Sequence, residues 1–225
     1  MTLSTVNRSF ERTGKGELFL APLPAASVFS SATTIDSFLS LYYELFYDDG
    51  GIRKALKTGV KPWAALEAEG LKVKIKNNIV EVDPNSGQKH TVGISDTDIS
   101  GELTVLDLTA QKLAELANCS ADELIATAAA TGKAGRATVV IGGQDQLVYY
   151  TMLYRMPSKL VPGEFDHVLF PKAAFTMDGE MDLNKKSVLK MKVKFDALQE
   201  PYGMVNANGN PEQLAYDIAT APATV

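Results

Sequence analysis

Cysteine occurs once in the 225 residues, at Cys119, and histidine only at His90 and His167. A lone thiol excludes an intrachain disulfide framework and any cysteine-rich zinc module. A pair of histidines leaves little material for a multi-histidine metal site. No run approaches the roughly 18 apolar residues that a membrane-crossing helix needs. The amino terminus, MTLSTVNRSFERTGKGELFLAPLP, lacks a basic stretch followed by a long apolar one and is not expected to act as a signal peptide. These absences predict a soluble chain made in a reducing cytoplasm. The motifs G-x-S-x-G, P-loop, G-x-G-x-x-G after a strand, and H-E-x-x-H are missing as well. Positive charge is not in excess: the net charge is −5, which gives no electrostatic reason to expect tight binding to nucleic acid or to an acidic membrane.

What is present is ordinary globular material, 45% hydrophobic and 22% charged, enough to bury a core without a staple. Residues 1–30 read as an arm with one short strand at Leu18-Phe19-Leu20, between glycines and prolines. Ile35, Phe38, Leu39, Tyr42 and Phe46 then fall at helical spacing. Such a stripe serves either as core or as a docking element. Asp48 to Gly51 break it, and the basic stretch Arg53–Trp63 reads as an exposed excursion.

From Leu71 the period changes to two, predicting a strand over 71–76, a turn at Asn77-Asn78, and a strand over Ile79–Val82. Strands over 88–94 and 101–108 complete a meander. Thr109 can cap a helix to about Ala117, and Ser120 with Glu123 predicts a second helix to about Ala130. Ala137–Ile141 and Gln146–Met156 flank a glycine-containing loop and read as a hairpin, with Tyr150, Met152, Tyr154 and Met156 on one face. Phe165–Met177 is extended but contains Pro171, which is better tolerated at an edge or a bulge. Asp178-Gly179 reads as a turn, and Ser187–Leu198 places Met191, Val193 and Phe195 inward with Lys190, Lys192 and Lys194 outward.

Candidate chemistry is sparse. Asp178, Glu180 and Asp182 alternate, so they share one face and could aim at a cation or simply solvate a hairpin tip. Cys119 and His167 have no third group to orient them as a nucleophile pair. The lysine faces at 72–76 and 190–194 suit either nucleic acid or protection of a strand edge.

The segments GELTVLDL at 101–108, YYTMLY at 149–154, VLFPKA at 168–173 and FDALQEP at 195–201 follow one another in an order that resembles the major tail (tail-tube) protein of long, non-contractile-tailed bacteriophages. The resemblance covers about residues 70–201. It implies a mainly β subunit, an antiparallel β-sandwich or barrel with short flanking helices, and one domain. That domain divides into an N-terminal arm (1–30), a helical elaboration (33–63), a β core (70–201) and a C-terminal arm (202–225). It further implies a virion protein without enzymatic activity or cofactor, assembling with itself into stacked, hexameric rings that conduct DNA without binding it specifically. Tape-measure and terminator proteins would be its neighbours, and no membrane is involved. On that footing Leu41, Tyr42, Tyr43, Leu45, Phe46 and Trp63 are candidate subunit-interface residues, and Asp178, Glu180 and Asp182 candidate lumen-lining residues. A tail-terminator or head–tail connector ring protein, or a β-barrel module binding a ligand or nucleic acid, are the competing readings.

Overall fold

Alternating apolar and charged residues make half-buried strands, and 71–76 and Met191–Ala197 are written that way. A computed structural model describes residues 8–11, 16–49, 52–64, 66–67, 70–82, 90–119, 124–142, 147–176, 190–205, 209 and 212–220, with backbone alone at 8–11, 79–82 and 90–96. In chain order the elements are β1 (Arg8–Glu11), β2 (Glu17–Pro22), a 3-10 turn (Ala26–Phe29), α1 (Ile35–Tyr43), β3 (Lys72–Val82), β4 (His90–Val105) and α2 (Ala110–Leu116). Then come β5 (Leu124–Thr127), β6 (Arg136–Val139), β7 (Tyr149–Pro157), β8 (Phe165–Thr176), β9 (Met191–Ala197) and β10 (Ala215–Asp217). The protein is mainly β, with one large antiparallel sheet ordered β1-β3-β4-β9-β8-β7-β2, β10 added beside β8, and a separate β5-β6 pair.

The large sheet curls until its edge strand β2 is tied to β4 through the segment 63–67. Trp63 N–H donates to the Leu18 carbonyl at 2.7 Å on β2, and Glu67 N–H donates to the Thr104 carbonyl at 3.0 Å on β4. Bridges Leu18↔Ala64 and Leu66↔Val105 complete the link, so the sheet closes toward a barrel. Its interior is filled by Leu18, Val73, Leu103, Met152, Tyr154, Phe170, Phe175, Val193 and Phe195. Gly101 is paired with Phe195, and a Cβ there would fall inside the Phe195 ring. The glycine is what lets that ring lie flat across β4.

Pro171 sits in a bulge: Tyr150 pairs with Ala173 and Met152 with Phe170, so Pro171 and Lys172 together oppose Thr151. The Thr151 hydroxyl donates to the Pro171 carbonyl at 3.0 Å. The extra residue shifts the parity of β8, so that Val168 and Phe170 before it and Ala173 and Phe175 after it all face the interior. The inward set of β9 is Met191, Val193, Phe195 and Ala197, as its alternation predicts.

Several expectations are corrected. Asn77-Asn78 is not a turn; β3 continues through it with a register shift after Asn78, and Thr97 donates to the Asn77 side chain at 3.1 Å while Asn78 donates to Asp98 at 3.0 Å across the ladder. The segment from Leu124 is a strand and not the body of a helix, and β6 pairs with β5 instead of with β7. Residues 16–30 are not an arm, since Leu18 and Phe19 are fully buried and β2 is a sheet strand. The C-terminal segment is likewise woven in: Met204 is buried, β10 pairs with β8, and Glu200 and Glu212 join the returning backbone at 2.8 and 2.9 Å. The predicted turn at Asp178-Gly179 lies outside the described residues.

Candidate functional site

Thr34 starts α1 by a reciprocal cap, accepting from Ser37 N–H at 3.2 Å while the Ser37 hydroxyl accepts from Thr34 N–H at 3.0 Å. The helix lies on the outer face of β2, β7 and β8, over Phe19, Leu153 and Leu169. Here the structure corrects the interface candidates. Tyr42, Tyr43 and Phe46 are 0%, 3% and 1% exposed, so they belong to the chain's own second core and offer no free surface. Leu41 and Leu45 are half-buried against the same cluster. Trp63 is half-buried on the first core, stacked on Phe175 at 5.3 Å with its indole N–H donating to Glu115.

The polar groups of this second core are specific. The Tyr42 hydroxyl donates to the Glu200 carboxylate, which also accepts from the backbone N–H groups of Tyr202 at 2.8 Å and Met204 at 2.6 Å. Burial, reinforced by that carboxylate, pushes the Tyr42 phenol far above its usual range. His167 on β8 meets Tyr47 Oη through Nε2 at 2.8 Å and takes Tyr43 against its ring edge at 5.7 Å. Burial first, and then the positive charges of Arg53 and Arg155, hold His167 down to about 4. Arg53 covers the Tyr43 ring at 3.8 Å and pairs with Asp217 of β10, while Arg155 pairs with Glu17 of β2. Each pair ties two chain segments together. Cys119, far from His167 in the fold, donates to the Val140 carbonyl at 3.3 Å, so the two form no nucleophile pair.

The lysine faces converge on one outer surface and find carboxylates there. Glu102 on β4 stands between Lys74 of β3 and Lys192 of β9, each at 2.9 Å. Their hydrogen bonds hold Glu102 down to about 2. Lys190 reaches Glu67 at 3.3 Å. This is a paired charge ladder and not an open cationic groove. Asp178, Glu180 and Asp182 lie outside the described residues.

Two features had no counterpart in the expected sites. The first is the β5-β6 ribbon. Its register continues past the strands to Ala130 and Lys133, which exchange backbone hydrogen bonds at 3.1 and 2.8 Å around Thr131-Gly132, with Gly132 at φ +74. Every residue from Ile125 to Thr138 is exposed. Strand alternation and register give one ribbon face Leu124, Ala126, Ala128, Ala130, Gly135, Ala137 and Val139, with Lys133 opposite Ala130 at its tip. The sequence signal was there in alternate positions, but alanine's helix propensity and the apparent capping box masked it.

The second feature is an apolar pocket of about 190 Å³, lined by Leu71 just before β3, Val73 and Ile75 from β3, Tyr154 and Met156 from β7, Val168 from β8, and Leu214 and Tyr216 around β10. The pocket lies toward the Met156 end of the β7-β8 ladder. The ribbon is rooted at the other end, where α2 supports it and Asn118 grips both Phe175 and Val148.

No helix among the described residues is long and apolar enough to cross a membrane. No protein-family model matches the chain, and no curated protein matches it.

Proposed function

We propose that this chain is a structural, self-assembling protein, the tail-tube subunit of a long, non-contractile phage tail, whose copies stack as rings around a conduit for DNA. The observation that carries the reading is the β5-β6 ribbon. A two-stranded ribbon standing alone in water is marginal, and this one exposes a face of small apolar residues, Ala126, Ala128, Ala130, Gly135 and Ala137. Such an element suits a protein whose folded subunit is not its final state. The curled, well-packed sheet beneath it supplies a body to carry the contact. The Lys74–Glu102–Lys192 ladder favours this reading over nucleic-acid binding, because its cations are already paired within the chain. An acidic subunit also suits a conduit that must not adsorb DNA.

Negative-stain microscopy of the purified protein, at increasing concentration, tests the proposal. Hollow tubes of constant diameter are the expected result. Discrete rings that never lengthen would instead favour a terminator or connector role, and monomers at every concentration would overturn self-assembly.

A further inference from the structure

We propose that the β5-β6 ribbon of one copy seats its alanine-lined face on the apolar pocket beside β10 of a second copy, making a head-to-tail contact. This rests on the self-assembly reading above and names the contact through which copies join.

The ribbon's root is held at the Val148 and Phe175 end of β7-β8, through Asn118. The pocket takes Met156 and Val168 from the opposite end of the same ladder. At about 3.3 Å per residue the two ends are separated by roughly 25 Å. The ribbon, exposed from Ile125 to Thr138, does not cover the pocket of its own chain. A patch at one end and its complement at the other form a heterologous pair, which closes into a ring or grows as a polymer and does not stop at a symmetric dimer.

Shape and charge agree on the occupant. Ala126, Ala128, Ala130, Gly135 and Ala137 give the ribbon a flat face of small apolar residues, with Lys133 at its tip, a profile that can lie across the mouth of the apolar slot without displacing its walls. Tyr216, 37% exposed, and half-buried Leu214 form the accessible wall of that slot. The ribbon bears Lys133 and Arg136 and no carboxylate, whereas the chain as a whole carries −5. The rest of any second copy is therefore more acidic than the whole, and attracts the ribbon while the bodies repel.

The test uses full-length chains altered on one side of the contact at a time. Ala126→Asp with Ala128→Asp places carboxylates on the exposed ribbon face, where nothing in the monomer opposes them. Leu214→Glu does the same in the pocket, with Tyr216→Glu as a second pocket variant should Leu214→Glu melt early by circular dichroism. Each variant alone should raise the concentration needed for tube growth by at least about tenfold. Mixed in equal amounts, ribbon and pocket variants retain one intact half each, so they should form a species of twice the mass of either and extend no further, as read by analytical ultracentrifugation. Growth of either variant at the wild-type concentration, with wild type also forming tubes, would overturn this contact and leave the self-assembly reading standing. Loss of growth in both without pairing in the mixture would overturn the head-to-tail arrangement. Wild type that never assembles would overturn both readings together.

Discussion

Tyr43 and His167 decide different things within one cluster. Tyr43 is a packing residue: it is 3% exposed, edge-on to His167 and roofed by Arg53. Replacing it by aspartate removes an aromatic from the core and buries a carboxylate in its place. Tyr43→Asp should cost at least about 3 kcal/mol, as large aromatic truncations do. That corresponds to a melting point lower by roughly 6–12 °C in a chain of this size, measurable by calorimetry on unassembled protein. His167 is a titration switch. Its folded value is held down to about 4 by burial and by Arg53 and Arg155, against which Asp166 and Asp49 pull the other way. In the unfolded chain it titrates near 6.5. Between those values the unfolded state takes up a proton that the folded state refuses, so stability falls as pH drops from about 6.5 to 4 and this group adds nothing further below. Its full size is about 3 kcal/mol. Urea unfolding at pH 7, 5.5 and 4.5 should show that decline, and His167→Gln, which cannot titrate, should flatten it. Glu102 loses its own contribution as pH falls from the ordinary glutamate value to about 2, so it touches only the lowest of these points and leaves the change from pH 7 to 5.5 to His167.

At the scale of elements, the β5-β6 ribbon is separable from the barrel in a way that α1 is not. Replacing 126–137 by a two-residue turn removes only exposed side chains. The melting point should therefore move by only a few degrees while tube growth is abolished, a pair of readings that calorimetry and microscopy provide. A fall of tens of degrees would make the ribbon structural. This element was also the least legible in the sequence. Strands such as β9 were plain because Lys192 and Lys194 alternate with Met191, Val193 and Phe195, and both faces have different solvents. The α2 cap at Thr109 and the preference of Pro171 for an edge or a bulge were readable because each rests on a local backbone constraint. In the ribbon both faces meet water, so hydrophobic period carries little information and alanine's helical preference prevailed. Asn77-Asn78 misled for a related reason: a residue pair tolerant of turns is equally content in a strand whose neighbour supplies Thr97 and Asp98 as partners. The buried fate of Tyr42, Tyr43 and Phe46 was hidden because an amphipathic stripe does not say whether its cover is the same chain or another.

The described residues are held by segments far apart in sequence, and β2 and residues 200–217 are part of that closure. β2 is tied to the segment 63–67 through Trp63 and Ala64. From the other terminus, Glu200 accepts the Tyr42 hydroxyl, Tyr202 stacks on Phe29 at 4.7 Å and donates to the Pro24 carbonyl, and Met204 is buried in the second core. Beyond it, β10 covers the edge of β8 that β9 leaves open, because β9 pairs only from Ala173 to Thr176 while β10 pairs at His167 to Leu169. Asp217 then neutralises Arg53, the cation above Tyr43. Ending the chain after Gly203 would expose that edge, leave Arg53 beside neutral His167 without its carboxylate, and strip Met204 from its cluster. The lost side-chain burial alone is worth about 1.5–3 kcal/mol for a residue such as Met204, and the unpaired edge invites association of the wrong kind. The truncated chain should melt at least about 10 °C below wild type and form amorphous aggregates in place of tubes. If it melted normally and merely failed to polymerise, the C-terminal segment would be an assembly arm after all, and the closure described here would not be what holds the subunit.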